Sequence, residues 1–311
     1  MSTSRRSFLG GAAVGALGLP LAPLGARTFG GQDGAGLAIE AVGRKRIPKT
    51  GELLPMIGLG TSRTLDVDPT GENAELLQVL SGFLAHGGTL IDSSPMYGKA
   101  EAAVGELLGR LGRSDVFYAT KVWTDQGKEA GIRQMEESQQ LMGTPRFDLM
   151  QVHNLVGLEV QLATLRSWKE EGRIRYLGVT EMRDYPKVEE LIRDDLLDFI
   201  QIPYSLGERT VEQRVLPAAL DHGVAVLVMR PFERGRLFTA MKGEELPGWA
   251  ADFGIASWAQ FFLKFLVGHP AVTCPIPATS KPHHLADNMR GGVGPLPGEA
   301  ARKKMIALLE G

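Results

Sequence analysis

From Met56 onward, short apolar runs alternate with longer stretches in which apolar residues recur every three or four positions. The runs lie at 56–60, 89–92, 116–121, 147–153, 174–180, 199–202, 225–229 and 272–275. Their starts are about 31 residues apart on average, room for a strand, a helix and two loops. After the first run, Leu76, Leu77, Leu80, Phe83 and Leu84 form one stripe on a 3.6-residue period, and Gly87-Gly88 ends it. Similar stripes run over 160–171 and 255–266. The alternation predicts parallel strands joined by helical crossovers, and eight units predict an α/β fold of the (β/α)8 TIM-barrel type. A doubly wound open sheet is the rival, but no strand here leads into a GxGxxG loop.

Ahead of the first run, Arg46-Ile47-Pro48 and Glu52-Leu53-Leu54 flank the turn-forming cluster Lys49-Thr50-Gly51. This predicts a short β-hairpin that closes the N-terminal mouth of the barrel. The longest interval, between Met229 and Val272, holds Glu233-Arg234-Gly235-Arg236, loop sequence on the side that shapes a barrel's active site.

The first 42 residues break the pattern. Ser4-Arg5-Arg6-Ser7-Phe8-Leu9 precedes a Gly/Ala/Leu-rich stretch ending near Leu21. A basic end followed by a short apolar segment has the build of a secretory signal, and paired arginines before Phe-Leu resemble the twin-arginine export signal. The apolar run is too short and too glycine-rich for a good membrane span. Residues 1–26 are therefore expected to be an export signal with Ala26 a candidate cleavage point, 27–42 a flexible Gly-rich linker, and 43–311 the barrel. The expected destination is periplasmic or extracellular, with the translocation machinery a transient partner and no membrane anchor after export.

Composition narrows the partner. With 43% hydrophobic residues, 23% charged residues and a net charge of -2, the chain reads as a globular enzyme for a small molecule and not as a nucleic-acid binder. Cys274 is the only cysteine, so neither an intramolecular disulfide nor a cysteine zinc site is available. The six histidines show no HExxH spacing, and no metal is expected.

Catalytic groups of a β/α barrel sit at the C-terminal ends of its strands. Asp92 closes the second run, Lys121 the third and His153 the fourth, while Tyr97 follows Asp92 in the overhanging loop. Singly, each has a plain structural explanation, such as a helix cap for Asp92 or core packing for Tyr97. Four at successive strand ends favour chemistry. A phenol gives up its proton more readily beside an ammonium, which Lys121 can supply. Asp92 can hold that ammonium in place, and His153 can hydrogen-bond an oxygen on which negative charge develops.

Asp92-Ser93-Ser94-Pro95-Met96-Tyr97-Gly98, Thr120-Lys121 and Gln151-Val152-His153-Asn154 match, in order, the Asp, Tyr, Lys and His segments of the aldo-keto reductases. From about Arg46 to its C-terminus the chain resembles that family. The resemblance implies an NAD(P)H-dependent oxidoreductase that reduces an aldehyde or ketone by hydride transfer from nicotinamide C4, with Asp92, Tyr97, Lys121 and His153 catalytic and no metal or flavin. It also implies cofactor contacts at Gly60, Thr61, Thr180 and Gln201, and at Thr279, Ser280, Lys281, His284 and Asn288 for the adenosine end. Lys281 is the clearest cation for a 2′-phosphate, which favours NADPH with NADH as an alternative; His284 adds charge only when protonated. Two positions depart from the family pattern: Glu181 stands where many members have asparagine, and Met229 where many have a stacking aromatic. An exported NADP(H)-binding sensor or partner subunit with little turnover is the alternative reading. A barrel hydrolase would need paired carboxylates or metal ligands at the mouth, and neither is present.

Overall fold

A strand sends successive side chains to opposite faces, so in a closed sheet every second residue points inward. The computed structural model describes residues 40–310; the export signal expected over 1–26 and the linker up to residue 39 lie outside the described residues. The chain opens with β1 (Arg44–Arg46) and β2 (Leu53–Pro55), then continues through β3 (Leu59–Gly60), α1 (Ala74–Ala85), β4 (Leu90–Asp92), α2 (Ala100–Arg110), β5 (Phe117–Val122) and α3 (Lys128–Met142). Next come β6 (Phe147–His153), α4 (Leu158–Glu170), β7 (Ile174–Thr180), α5 (Tyr185–Arg193), β8 (Phe199–Pro203), α6 (Val215–Asp221) and β9 (Ala225–Met229). The last elements are α7 (Arg236–Ala240), α8 (Trp258–Val267), β10 (Val272–Pro275), α9 (Pro282–Arg290) and α10 (Glu299–Glu310).

Strands β3 to β10 lie side by side in sequence order, each parallel to the next. The Gly58 amide donates to the Pro275 carbonyl at 3.0 Å and the Gly60 amide to Pro277 at 3.2 Å, so the first and last strands meet. This is the (β/α)8 barrel expected from the eight apolar runs, and the open-sheet rival falls with the closure. Gly60 is required at the seam, because a Cβ there would stand 2.7 Å from the Ile276 carbonyl oxygen.

The two-residue period divides the core in two. Ile91, Met150, Val152, Val179 and Ile200 face outward and pack under the helices, against stripes such as Leu76, Val79, Leu80 and Phe83 of α1. Leu90, Phe117, Leu149, Tyr176 and Phe199 face inward and fill the lower barrel. Each such side chain contributes roughly 1.5–3 kcal/mol by burial. Two or four residues further along the same inward rows stand Asp92, Lys121, Gln151, His153, Thr180 and Gln201, all buried. The barrel interior thus changes from apolar to polar toward the C-terminal ends of the strands.

The hairpin closes the opposite end, with Ile47 and Leu54 joining the interior cluster. Its strands are offset from the sequence expectation: Arg44 pairs with Pro55 and Arg46 with Leu53, leaving 47–52 as the turn. Pro48 has no N–H for a ladder, and the Ile47 side chain is spent as a plug. The Tyr176 hydroxyl donates to Glu52 at 2.6 Å and lies 2.9 Å from Thr50 Oγ1, which fastens the turn to β7. Val42, expected as the last linker residue, is buried and donates its amide to His86 O at 2.9 Å, so barrel packing reaches at least that far.

Candidate active site

A lysine and an aspartate at the ends of adjacent inward rows can be buried only as a pair. Lys121 Nζ donates to Asp92 Oδ2 at 2.7 Å and to the Ser93 carbonyl at 2.5 Å. Both side chains are buried, at 0% and 2% exposure. Two amides also donate to Asp92: Gln151 Nε2 at 3.2 Å from Oδ1 and Gln201 Nε2 at 3.3 Å from Oδ2. Burial works against the Lys121 charge, but Asp92 and then the Tyr97 oxygen oppose it, and the ammonium is held above the ordinary lysine range. The cation stays charged although fully buried.

Tyr97 stands over this pair, with Lys121 Nζ 5.0 Å from its ring centre. Its ring also meets the His153 imidazole edge-on, at 5.9 Å between centroids and 90° between planes. Ser94 Oγ lies 3.0 Å from His153 Nδ1 and accepts the Met96 amide at 3.2 Å. Burial first, and the Lys121 charge second, lower the His153 pKa to about 3. The imidazole is therefore neutral at physiological pH. The structure brings the four residues expected to be catalytic into one cluster.

The lowered His153 pKa has a consequence for stability. Below the ordinary histidine value the unfolded chain takes up a proton that the folded site refuses, so stability falls as pH drops from 6.5 toward about 3. His269, lowered to about 4 by burial and Arg302, acts in the same direction. The expected slope is about 1.4 kcal/mol per pH unit for one fully coupled histidine. Thermal melts from pH 7 to pH 4 should show a steeper loss for wild type than for His153→Gln; parallel curves would refute the assignment.

The expected cofactor residues fall in two places. Thr180 and Gln201 are buried beside the cluster, and Thr180 Oγ1 accepts the Asn154 amide at 3.1 Å. Thr61 is buried behind it, donating to Asp92 O and contacting Ser93 Oγ, each at 3.0 Å, while Gly60 serves the barrel seam. Thr279, Ser280 and Lys281 lead into α9 from Ala278, which bridges to Gly60, and His284 and Asn288 lie on the helix itself. Thr279 Oγ1 accepts the Lys281 amide at 3.1 Å, Lys281 Nζ pairs with Glu75 at 2.7 Å, and the His283 and His284 rings sit 4.2 Å apart. Glu181 is turned onto its own loop, where Oε1 accepts the amides of Met182, Arg183 and Asp184 at 2.7, 2.8 and 3.3 Å. Met229 lines the inner core as a half-buried residue.

Three residues of the cluster were not among the sequence candidates. Gln151 sits two positions before His153, and that spacing alone places it on the same inward row. Ser94 gave no such signal, since its contact depends on how the loop after β4 folds back. Glu101, 2% exposed on α2, accepts Thr120 Oγ1 at 2.5 Å and Ser138 Oγ at 3.0 Å behind Lys121. Burial raises its carboxyl pKa against the two hydroxyl bonds and the Lys121 charge.

The chain is 31% identical over 188 residues to the NADH-specific methylglyoxal reductase of Escherichia coli (strain K12), covering 52% of this chain and 57% of that protein. It is 30% identical over 214 residues to the aldo-keto reductase YhdN of Bacillus subtilis (strain 168), covering 64% of each. The matched region thus spans less than two thirds of these relatives' lengths. In fold it is similar to an aldo/keto reductase from Klebsiella pneumoniae solved with NADP and acetate, with a TM-score of 0.74, 24% identity, and coverage of 87% of this chain and 96% of that one. The model of the Aldo/keto reductase family matches residues 56–302. With nearly the whole barrel inside that match and the Asp92, Tyr97, Lys121 and His153 cluster assembled at its C-terminal end, the chain belongs to the aldo/keto reductase family.

Proposed function

We propose that this protein reduces the carbonyl of an aldehyde or ketone to an alcohol with NADPH, NADH serving as an alternative, and that Tyr97 donates the proton. The observation that carries the reading is the buried Lys121–Asp92 ion pair directly beneath the Tyr97 ring. The site also fits a nicotinamide. Gln151 Oε1 and Gln201 Oε1 are buried acceptors with no hydrogen-bond partner, and a carboxamide brings N–H donors of the kind such acceptors need. Gln201 and Thr180 would hold that carboxamide, Gly60 and Thr61 would lie along the same rim, and Thr279, Ser280, Lys281, His284 and Asn288 would hold the adenosine side. When bound, the cofactor supplies the hydride.

The rest is done by the chain's own groups. Tyr97 gives its phenolic proton to the carbonyl oxygen, and the Lys121 ammonium stabilises the phenolate left behind. Asp92 fixes that ammonium. In the tautomer that serves this reaction, Ser94 Oγ donates to His153 Nδ1 and the neutral imidazole carries its proton on Nε2, a donor toward the carbonyl oxygen. The Lys281–Glu75 pair makes a 2′-phosphate compete with a carboxylate, which tempers the NADPH preference.

The test is reduced-nicotinamide oxidation by the full chain with NADPH and with NADH against a panel of aldehydes and ketones. Turnover that depends on Tyr97 supports the reading. Tight NADP(H) binding without turnover on any carbonyl would favour an exported sensor or partner subunit.

The Arg5-Arg6 leader supports a further part of the proposal, that the protein is exported to the periplasm or beyond by the twin-arginine route with its cofactor already loaded. Exchange of both arginines for lysine should retain the protein in the cytoplasm on fractionation; unchanged distribution would remove this part and leave the chemistry standing.

A further inference from the structure

The loops at the catalytic end carry charge that the reaction just described does not use. Arg63 follows β3, Arg183 follows β7, and Arg230 and Arg234 follow β9, so the four come from three loops spaced around the barrel mouth. All four are exposed. Arg193, Arg214 and Arg236 pair with Glu189 or Glu233, whereas these four have no carboxylate within salt-bridge distance among the described residues.

Several carboxylates of the same loops are held by other partners. Asp66 accepts the Lys99 amide at 2.9 Å and Asp184 the Lys187 amide at 3.1 Å. Glu181 is tied to its own loop amides, and Glu233 accepts the Ser205 hydroxyl at 2.5 Å and pairs with Arg236 at 2.6 Å. The backbone is unusual at three of the four arginines: Arg63, Arg230 and Arg234 have φ of 66, 55 and 58°. L-residues with long side chains rarely take that left-handed conformation, and where it persists it often marks a functional site.

The four charges and the phenol act on one region. Arg230 is held below the ordinary arginine range by partial burial and by the charges of Arg234, Arg63 and Arg183, while Tyr97 pulls it the other way. Cations without a carboxylate partner around a concave mouth can draw anions toward it. Arg230 lies within electrostatic reach of Tyr97, where the carbonyl reacts, and none of the four lies on α9, to which the adenosine side is assigned.

We propose that the carbonyl substrate carries an anionic group, a carboxylate or a phosphate, which Arg63, Arg183, Arg230 and Arg234 receive at the barrel mouth while its carbonyl oxygen meets Tyr97. Aldehyde acids, 2-oxo acids and phosphorylated aldehydes belong to this class. The proposal rests on the reductase reading of the site. Arginine suits the task because its planar fork takes two carboxylate or phosphate oxygens at once.

The experiment compares substrates that differ in charge and little else: 4-carboxybenzaldehyde against its methyl ester, and succinic semialdehyde against its methyl ester. With the full chain and saturating NADPH at low salt, kcat/KM should favour the acid by about tenfold or more in at least one pair, and added NaCl should erode that advantage by screening. Arg63→Gln/Arg183→Gln, which alters two exposed side chains, should cut the acid-to-ester ratio by about tenfold. NADPH Kd, followed by fluorescence, should stay within about twofold of wild type. An ester preferred in both pairs would overturn the proposal. So would a variant that weakens NADPH binding and slows acid and ester in equal proportion, since the arginines would then serve the cofactor phosphates. No turnover of either member of either pair, nor of any other carbonyl, would remove the reductase reading itself and this proposal with it.

Discussion

Tyr97→Phe is expected to lower kcat for carbonyl reduction by about a thousandfold or more while NADPH binds within about twofold of wild type. General acid catalysis by a positioned group contributes roughly 10²–10⁴-fold, and the phenol has no nearby substitute as donor. Lys121 is engaged by Asp92 and the Ser93 carbonyl, and the His153 ring, with its pKa lowered to about 3, holds its remaining proton as a neutral imidazole. Phenylalanine keeps the ring that meets His153 edge-on and loses only the hydroxyl. A fall in kcat with little change in KM would mark an interaction made in the transition state. Stopped-flow measurement of a single turnover separates this from slow product release; a variant with more than about a tenth of wild-type kcat would exclude Tyr97 as the donor.

Lys121→Met should affect both catalysis and folding. Removing the ammonium leaves the Asp92 carboxylate buried with only the two glutamine amides as donors, and breaking a buried pair from one side costs about 3–5 kcal/mol. The raised Lys121 pKa sets the window. The pair's contribution is fully present below the ordinary lysine value and is lost only as pH climbs through the higher folded value, so the comparison is valid across the neutral range. Urea melts at pH 7 should therefore show a large drop for Lys121→Met and substantial recovery for Lys121→Met/Asp92→Asn, which removes the orphaned charge. Activity should not recover with stability, because the phenolate formed at Tyr97 still lacks its cation. A double variant that regained turnover would show that the pair serves only the fold.

Much of this barrel was legible along the chain because its information is local. The two-residue period in 147–153 assigns Leu149, Gln151 and His153 to one face and Met150 and Val152 to the other, whatever the neighbouring strands do. The Leu76, Leu80 and Phe83 stripe and the Gly87 stop likewise need only the helix period and one left-handed residue. Reading the last polar residue of each inward row located Asp92, Lys121 and His153, and the loop after Asp92 supplied Tyr97.

Tertiary structure alone decided everything that depends on residues distant in sequence or on a particular rotamer. The seam joins Gly58 and Gly60 to Pro275 and Pro277 across more than two hundred residues, and no local period encodes such a bond. The turn of Glu181 onto its own amides, the capture of Lys281 by Glu75, the approach of Ser94 to His153 and the gathering of four arginines from three loops were equally invisible in sequence. Alternation determines which face a side chain takes, since that follows from backbone geometry. Which partner it meets there depends on how the whole sheet closes, and closure is a property of all eight strands together.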